Sequence, residues 1–156
     1  MDYLLLKCLH ILSSTFLFGT GIGSAFYMLF TTLTRDVRAT AVVVRYVVIA
    51  DWLFTTPAII VQPVTGFLML YIAGIPFTTG WVMLSLMLYL LAGACWLPVV
   101  WMQIKMRDMA IAADRAGQFD LPAQYWRFFR YWVLLGIPAF LALVAVFWLM
   151  VAKPGW

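Results

Sequence analysis

The chain has 156 residues, of which 66% are hydrophobic, 17% aromatic and 10% charged. A soluble domain is about 45–50% apolar and about 25% charged, so this composition cannot cover a water-facing surface and points to lipid as the solvent. The length allows one domain over residues 1–156, and a bilayer span needs about 20 residues. The expected fold is therefore all-α, an integral membrane antiparallel four-helix bundle.

Counting excludes chemistry too. One histidine, His10, and two distant cysteines, Cys8 and Cys95, rule out a self-contained zinc site and a CxxC redox pair. All six acids are Asp, which removes the inward Glu and Glu-x-x-His of a ferritin-like di-iron centre. No glycine-rich phosphate loop or nucleophile triad stands in a credible context. The net charge of +4 calls for no nucleic acid, because cations at the membrane face account for it.

In chain order, the first apolar segment covers about residues 3–33 and stops at Thr34-Arg35-Asp36-Val37-Arg38. It is far longer than the apolar region of a cleavable signal. The second covers about 39–73 and ends in the turn residues Gly74-Ile75-Pro76-Phe77-Thr78-Thr79-Gly80. The third crosses over about 81–104, and its helical pattern runs on towards Ala116. Gly117 is the expected stop, and Asp120 before Leu121-Pro122 reads as the next N-cap. The fourth span covers about 131–151, which leaves 34–38 and 105–130 as loops on one side.

Charge sets the orientation. Eight of the ten basic residues flank those two loops: Arg35, Arg38, Arg45, Lys105, Arg107, Arg115, Arg127 and Arg130. Lys7 and Lys153 lie opposite. The expectation is a multi-pass protein of the bacterial inner membrane with both termini periplasmic. Tyr3, Tyr71, Phe77, Trp81, Trp148 and Trp156 are expected to ring the outer interface, and Trp101, Trp126, Tyr131 and Trp132 the inner one. Trp52 and Trp96 lie deeper, positioned for packing or for a cavity wall.

Polar groups inside a membrane are expensive, so each is a candidate for function. On the first helix, His10, Ser13, Ser14, Leu17, Gly21 and Ser24 share a face. Gly19 and Gly23 form a GxxxG on an adjacent face, read as close packing within the bundle or as a dimer seam. The second helix carries Asp51, Thr55, Ala58, Gln62, Thr65, Gly66 and Met69 in one direction, with Pro57 and Pro63 removing backbone donors. Asp51, Thr55 and Ser14 are expected as buried structural polar groups, Asp51 pairing with a cation from the third or fourth helix. At 1.5 Å per residue, His10, Thr65 and Ser85 fall at similar depth, roughly 8–12 Å inside the outer helix ends. Lys7 lies one turn outward, able to snorkel.

The opening Tyr3-Leu4-Leu5-Leu6-Lys7-Cys8-Leu9-His10-Ile11 resembles the start of the HemJ-type protoporphyrinogen oxidases, and the copper-resistance CopD group shares an early His on a membrane helix. Nearly the whole chain resembles an uncharacterised bacterial family of small integral membrane proteins, a domain of unknown function. The residues are Lys7-x-x-His10 and Asp51-Trp52-x-Phe54-x-x-Pro57 through Gln62-Pro63-x-Thr65-Gly66. The HemJ resemblance implies haem b with His10 as axial ligand to the iron. It also implies a Lys on the third helix after a Trp; Gly80-Trp81 begins similarly, but Ser85 falls at the Lys position. Lys7, His10, Gln62, Thr65 and Ser85 form the candidate cofactor site, with Met69, Met83, Met87, Lys7, water or a His from another chain as candidate second ligand.

Function follows as a haem- or quinone-associated redox role. The alternatives are a cofactor-free subunit or scaffold and a small transporter or copper-handling protein. Cys8 and His10 point about 200° apart, which separates them as ligands of one ion. Beyond the lipid bilayer, the partner classes that the bundle admits are a second copy of the chain, making a homodimer, and another membrane protein.

Overall fold

Four stretches of the chain carry enough continuous apolar sequence to cross a bilayer, and all four are helical in the computed structural model, which describes residues 2–155. They are α1 (Tyr3–Leu33), α2 (Val37–Ile72), α3 (Gly80–Arg115) and α4 (Ala123–Ala152). The connections 34–36, 73–79 and 116–122 are short, so consecutive helices are antiparallel neighbours. Trp156, expected in the outer aromatic ring, lies outside the described residues.

Local chemistry sets most of the boundaries. The Asp2 carboxylate accepts from the Leu4 N–H and starts α1. Asp36 does the same for α2, accepting from Ala39 N–H at 2.9 Å. Gly117 ends α3 at φ +62°, and the Gln118 N–H closes on the Ala113 carbonyl at 3.0 Å, a closure that glycine makes without Cβ strain. The fourth helix differs from expectation. Asp120 accepts only from the adjacent Leu121 N–H, and Pro122, extended at ψ 150°, is the residue before the helix proper at Ala123. A proline with extended ψ cannot yet be helical, which moves the start past the expected cap.

Inside α2 the five residues Asp51–Thr55 form a π-helical turn. Pro57 follows, and it lacks an N–H and crowds the carbonyl one turn back. The wider π turn absorbs that conflict: the Thr56 N–H reaches the Asp51 carbonyl, and Thr56 Oγ1 donates to the same oxygen at 2.9 Å. Before this turn α2 packs along both α1 and α3; after it, the α2 backbone stays on α1 and draws away from α3, with side chains such as Tyr89 spanning the gap.

The bundle is consequently uneven along its length. At the end carrying connections 34–36 and 116–122 (the basic end), Met28, Val44, Met106, Tyr125, Phe129 and Trp132 belong to one buried cluster drawn from all four helices. Thr32 and Tyr125 share a hydrogen bond of 3.0 Å across it. At the other end (the termini end), the corresponding cluster is Trp81, Val82 and Leu149. Halfway along, α1 meets α4 through Phe18, whose ring lies 5.6 Å from Phe140 and 5.0 Å from Phe147. Leu90, Leu97, Leu134, Leu141 and their like are exposed outward, as hydrocarbon requires.

Candidate functional site

The splaying of α2 from α3 at the termini end leaves a cavity of about 470 Å³ bounded by all four helices. His10 forms part of its wall. The imidazole Nδ1 is 2.8 Å from Thr65 Oγ1. That hydroxyl has a single proton, and it lies 2.7 Å from the Val61 carbonyl oxygen, a distance at which two oxygens need a hydrogen between them. Thr65 therefore donates to Val61 and accepts from His10, which places the ring proton on Nδ1. The lone pair is then on Nε2, and the ring also lies beside the Gln62 backbone.

Other groups fix the ring and its helix. Gln62 Nε2 donates to the His10 carbonyl at 2.9 Å, joined by Ser13 Oγ at 3.1 Å. Gly66 lies flat against the imidazole: a Cβ there would stand 3.3 Å from His10 Cε1. Across the cavity, Ser85 donates to the Trp81 carbonyl at 2.6 Å, and Tyr89 donates to the Ile59 carbonyl at 2.7 Å. Ser14 and Thr15 both donate to the Ile11 carbonyl. The hydroxyl protons of these four residues are thus committed to backbone oxygens, so towards the cavity they and His10 offer lone pairs. Free donors on the same wall include the ammonium groups of Lys7 and Lys153, the Tyr3 hydroxyl and the Trp81 indole N–H. Lys153 Nζ sits 6.0 Å from the Trp81 ring centroid.

All five candidate cofactor residues meet here. His10 contacts Thr65 and, through its carbonyl, Gln62; Lys7 and Ser85 line the same space. Met69 lines it, whereas Met83 and Met87 are exposed on the outer surface of α3 and cannot serve as ligands. Ser14, expected to be buried, is half-buried on the cavity wall; its neighbour Ser13 is the buried serine, turned towards the helix interface. Lys153 and Tyr89 belong to the site without having been singled out. Tyr89 is one turn beyond Ser85 and two beyond Trp81, a spacing that would have found it.

The rest of the α2 stripe is buried as expected, with Asp51 and Thr55 in contact through Thr55 Oγ1 and Asp51 Oδ1 at 2.9 Å. Asp51 has no cationic partner among the described residues. The Gln103 amide of α3 lies beside it instead, because the cations of α3 begin only at Lys105, further towards the basic end. Asp51 Oδ2 and Gln103 Oε1 are both buried without a hydrogen-bond partner.

Three other expectations change. Gly19 and Gly23 meet nothing within 4 Å of an added Cβ, so they are not sites of close helix approach within the chain. Trp81 and Trp132 are buried in the interior rather than set as interface anchors, and Trp52 is 60% exposed on the lipid-facing side. Among the described residues no group of three or more His, Cys, Asp or Glu is placed to hold a metal ion. A metal at His10 would have to arrive in a cofactor that brings its own ligands.

The fold and the cavity define an integral membrane helical bundle with one histidine facing an apolar, ligand-sized space. The family model described as "Predicted integral membrane protein (DUF2269)" matches residues 4–154, and the chain belongs to that family. No curated protein and no solved structure matches the chain.

Proposed function

We propose that the protein is a haem b-binding redox protein of a bacterial inner membrane, its termini on the periplasmic side, with His10 Nε2 as axial ligand. The observation that carries this reading is the Thr65 hydroxyl. By accepting a hydrogen bond from Nδ1–H it holds the imidazole in the tautomer that presents an unshared pair, the same device that orients metal-ligating histidines through their second nitrogen. A cavity of about 470 Å³ is within the usual range for small-molecule sites, roughly 300–1,000 Å³. Its apolar body and its two lysines suit an amphiphile with acidic groups, Lys7 and Lys153 taking the propionates. Met69, which lines the cavity, would be the candidate second ligand. Bound haem would supply one-electron chemistry, and the protein's part is to hold, orient and shield it.

The absorbance spectrum of gently solubilised protein tests the proposal. A Soret band is expected in the wild type and lost in His10→Ala. Protein without a Soret band after reconstitution with haem, or a band unchanged in His10→Ala, overturns it.

A second reading, a cofactor-free membrane subunit or scaffold, draws on the fact that Ser13, Ser14, Thr15, Ser85 and Tyr89 are each satisfied by a backbone carbonyl. Under that reading His10→Leu and Gln62→Leu lower thermal stability, and a partner copurifies. The copper-handling alternative has less to stand on, since Cys8 is exposed and is not part of the cavity wall.

A further inference from the structure

A second cavity, remote from His10, opens between α2 and α3 at the basic end with a volume of about 530 Å³. Arg45 and Ile49 line it from α2, and Arg107, Asp108, Ile111 and Arg115 from α3. The spacings are one helical turn each, 45–49 and 107–111–115, so these residues stack along two facing helix surfaces. Three guanidinium groups therefore share a space with one carboxylate. That carboxylate is committed: Arg107 holds Asp108 Oδ1 through both Nε and Nη2, at 2.9 and 2.8 Å. Among the described residues, Arg45 and Arg115 have no anionic partner.

The cavity is not purely a water-side feature. On α2, Arg45 sits among Val42, Tyr46 and Ile49, all exposed, with Leu53 exposed one turn further. Tyr46, Ile49 and Leu53 form an outward apolar strip that begins at the guanidinium and runs towards the middle of the span. A soluble anion would use the arginines and leave the strip idle; a lipid uses both.

We infer that this cavity binds the headgroup phosphate of an anionic phospholipid. Arg45 and Arg115 provide the planar donor pairs that suit phosphate oxygens, and an acyl chain lies along the strip from Tyr46 to Leu53. Basic pockets between membrane helices are a recognised setting for such headgroups.

Native mass spectrometry of the detergent-solubilised full chain tests the assignment, with phosphatidylglycerol, phosphatidylcholine and inorganic phosphate as probes. Phosphatidylglycerol should remain bound under conditions that strip phosphatidylcholine, and millimolar-range inorganic phosphate should not displace it. Arg45→Gln and Arg115→Gln should each weaken retention about fivefold, as expected for one cation near an anionic headgroup. Arg130→Gln, an exposed cation of α4 outside the cavity, should leave it unchanged. Because Arg45 and Arg115 are exposed, melts of the variants without lipid should coincide with wild type, which separates loss of the site from loss of the fold. Equal retention of both lipids, or an equal loss in Arg130→Gln, overturns the site. Displacement of the lipid by inorganic phosphate would assign the cavity to a soluble anion instead.

Discussion

The two ends of this bundle fill the space between four apolar helices in opposite ways. At the basic end, large side chains from every helix interdigitate, and Tyr125 and Met106 are wholly buried. At the termini end, positions that face inward carry Ser13, Ser14, Thr65, Gly66 and Ser85 around a single imidazole. Small and hydroxylated residues do not reach across, so the helices enclose a cavity where the other end encloses a core. The boundary between the two regimes lies near the π turn at Asp51–Thr55, where α2 parts from α3. In lipid there is little hydrophobic force to pull helices together, so side-chain volume and hydrogen bonds decide where they touch.

The contrast can be broken most directly by removing volume. Tyr125→Ala should cost about 3–5 kcal/mol, the usual penalty for deleting a large aromatic from a packed interior. Val146→Ala on the cavity wall should cost less than about 1.5 kcal/mol, because it enlarges a space that already exists. Denaturant titration of the solubilised protein gives both numbers; comparable losses would mean that the cavity end is packed as tightly as the core.

Function should show the reverse pattern. Thr65→Val removes the acceptor for His10 Nδ1–H, and outer-shell changes of this kind weaken metal-ligand sites about 10- to 100-fold. Haem titration of the apoprotein measures this; the Val61 carbonyl keeps its helical partner, but the stranded Nδ1–H should lower stability by about 1–3 kcal/mol, less than Tyr125→Ala. Wild-type haem affinity in Thr65→Val would detach the hydrogen bond from the site's chemistry. A smaller effect is expected of Gly66→Ala. Alanine favours the helix by up to about 1 kcal/mol, but its Cβ would press on Cε1 of His10 from 3.3 Å, so stability should hold or rise as haem affinity falls severalfold. If both fall together, Gly66 serves packing rather than the ring.

Much of this site was legible in the sequence because polar groups stand out against an apolar background. The stripe from Asp51 to Met69 faces inward as its helical spacing implies, and rise per residue alone brought His10, Thr65 and Ser85 to one level. Legibility failed where contrast failed. Trp81 and Trp132 turn inward while Trp52 turns out, and nothing local distinguishes them, because helix rotation in lipid is set by neighbours and not by hydropathy. The glycines at 19 and 23 carry a packing motif that meets no partner surface among the described residues. Charge alone puts Lys153 at the termini end, and only the closure of α4 over the cavity brings it to the site. The partner of Asp51 differs for a related reason: charge alone favours a cation, whereas the π turn sets the carboxylate at the depth of the Gln103 amide.

That pair gives the smallest and most diagnostic test of the boundary between core and cavity. Asp51 Oδ2 and Gln103 Oε1 are buried acceptors without donors, on side chains that lie together. Asp51→Asn keeps the shape and keeps an oxygen for the Thr55 hydroxyl, which now donates to Asp51 Oδ1 at 2.9 Å. It replaces the second, unpartnered oxygen with an amine, which can donate to Gln103 once that amide turns its carbonyl oxygen towards residue 51. One buried hydrogen bond gained in place of two orphaned acceptors should stabilise the protein by about 1 kcal/mol, whereas Asp51→Ala should destabilise it by about 1–3 kcal/mol by stranding Thr55 and Gln103. Thermal or denaturant unfolding of both variants decides the matter. A lower stability for Asn than for Ala would mean that the carboxylate itself, and not the hydrogen-bond geometry around it, is what holds the π turn between the two halves.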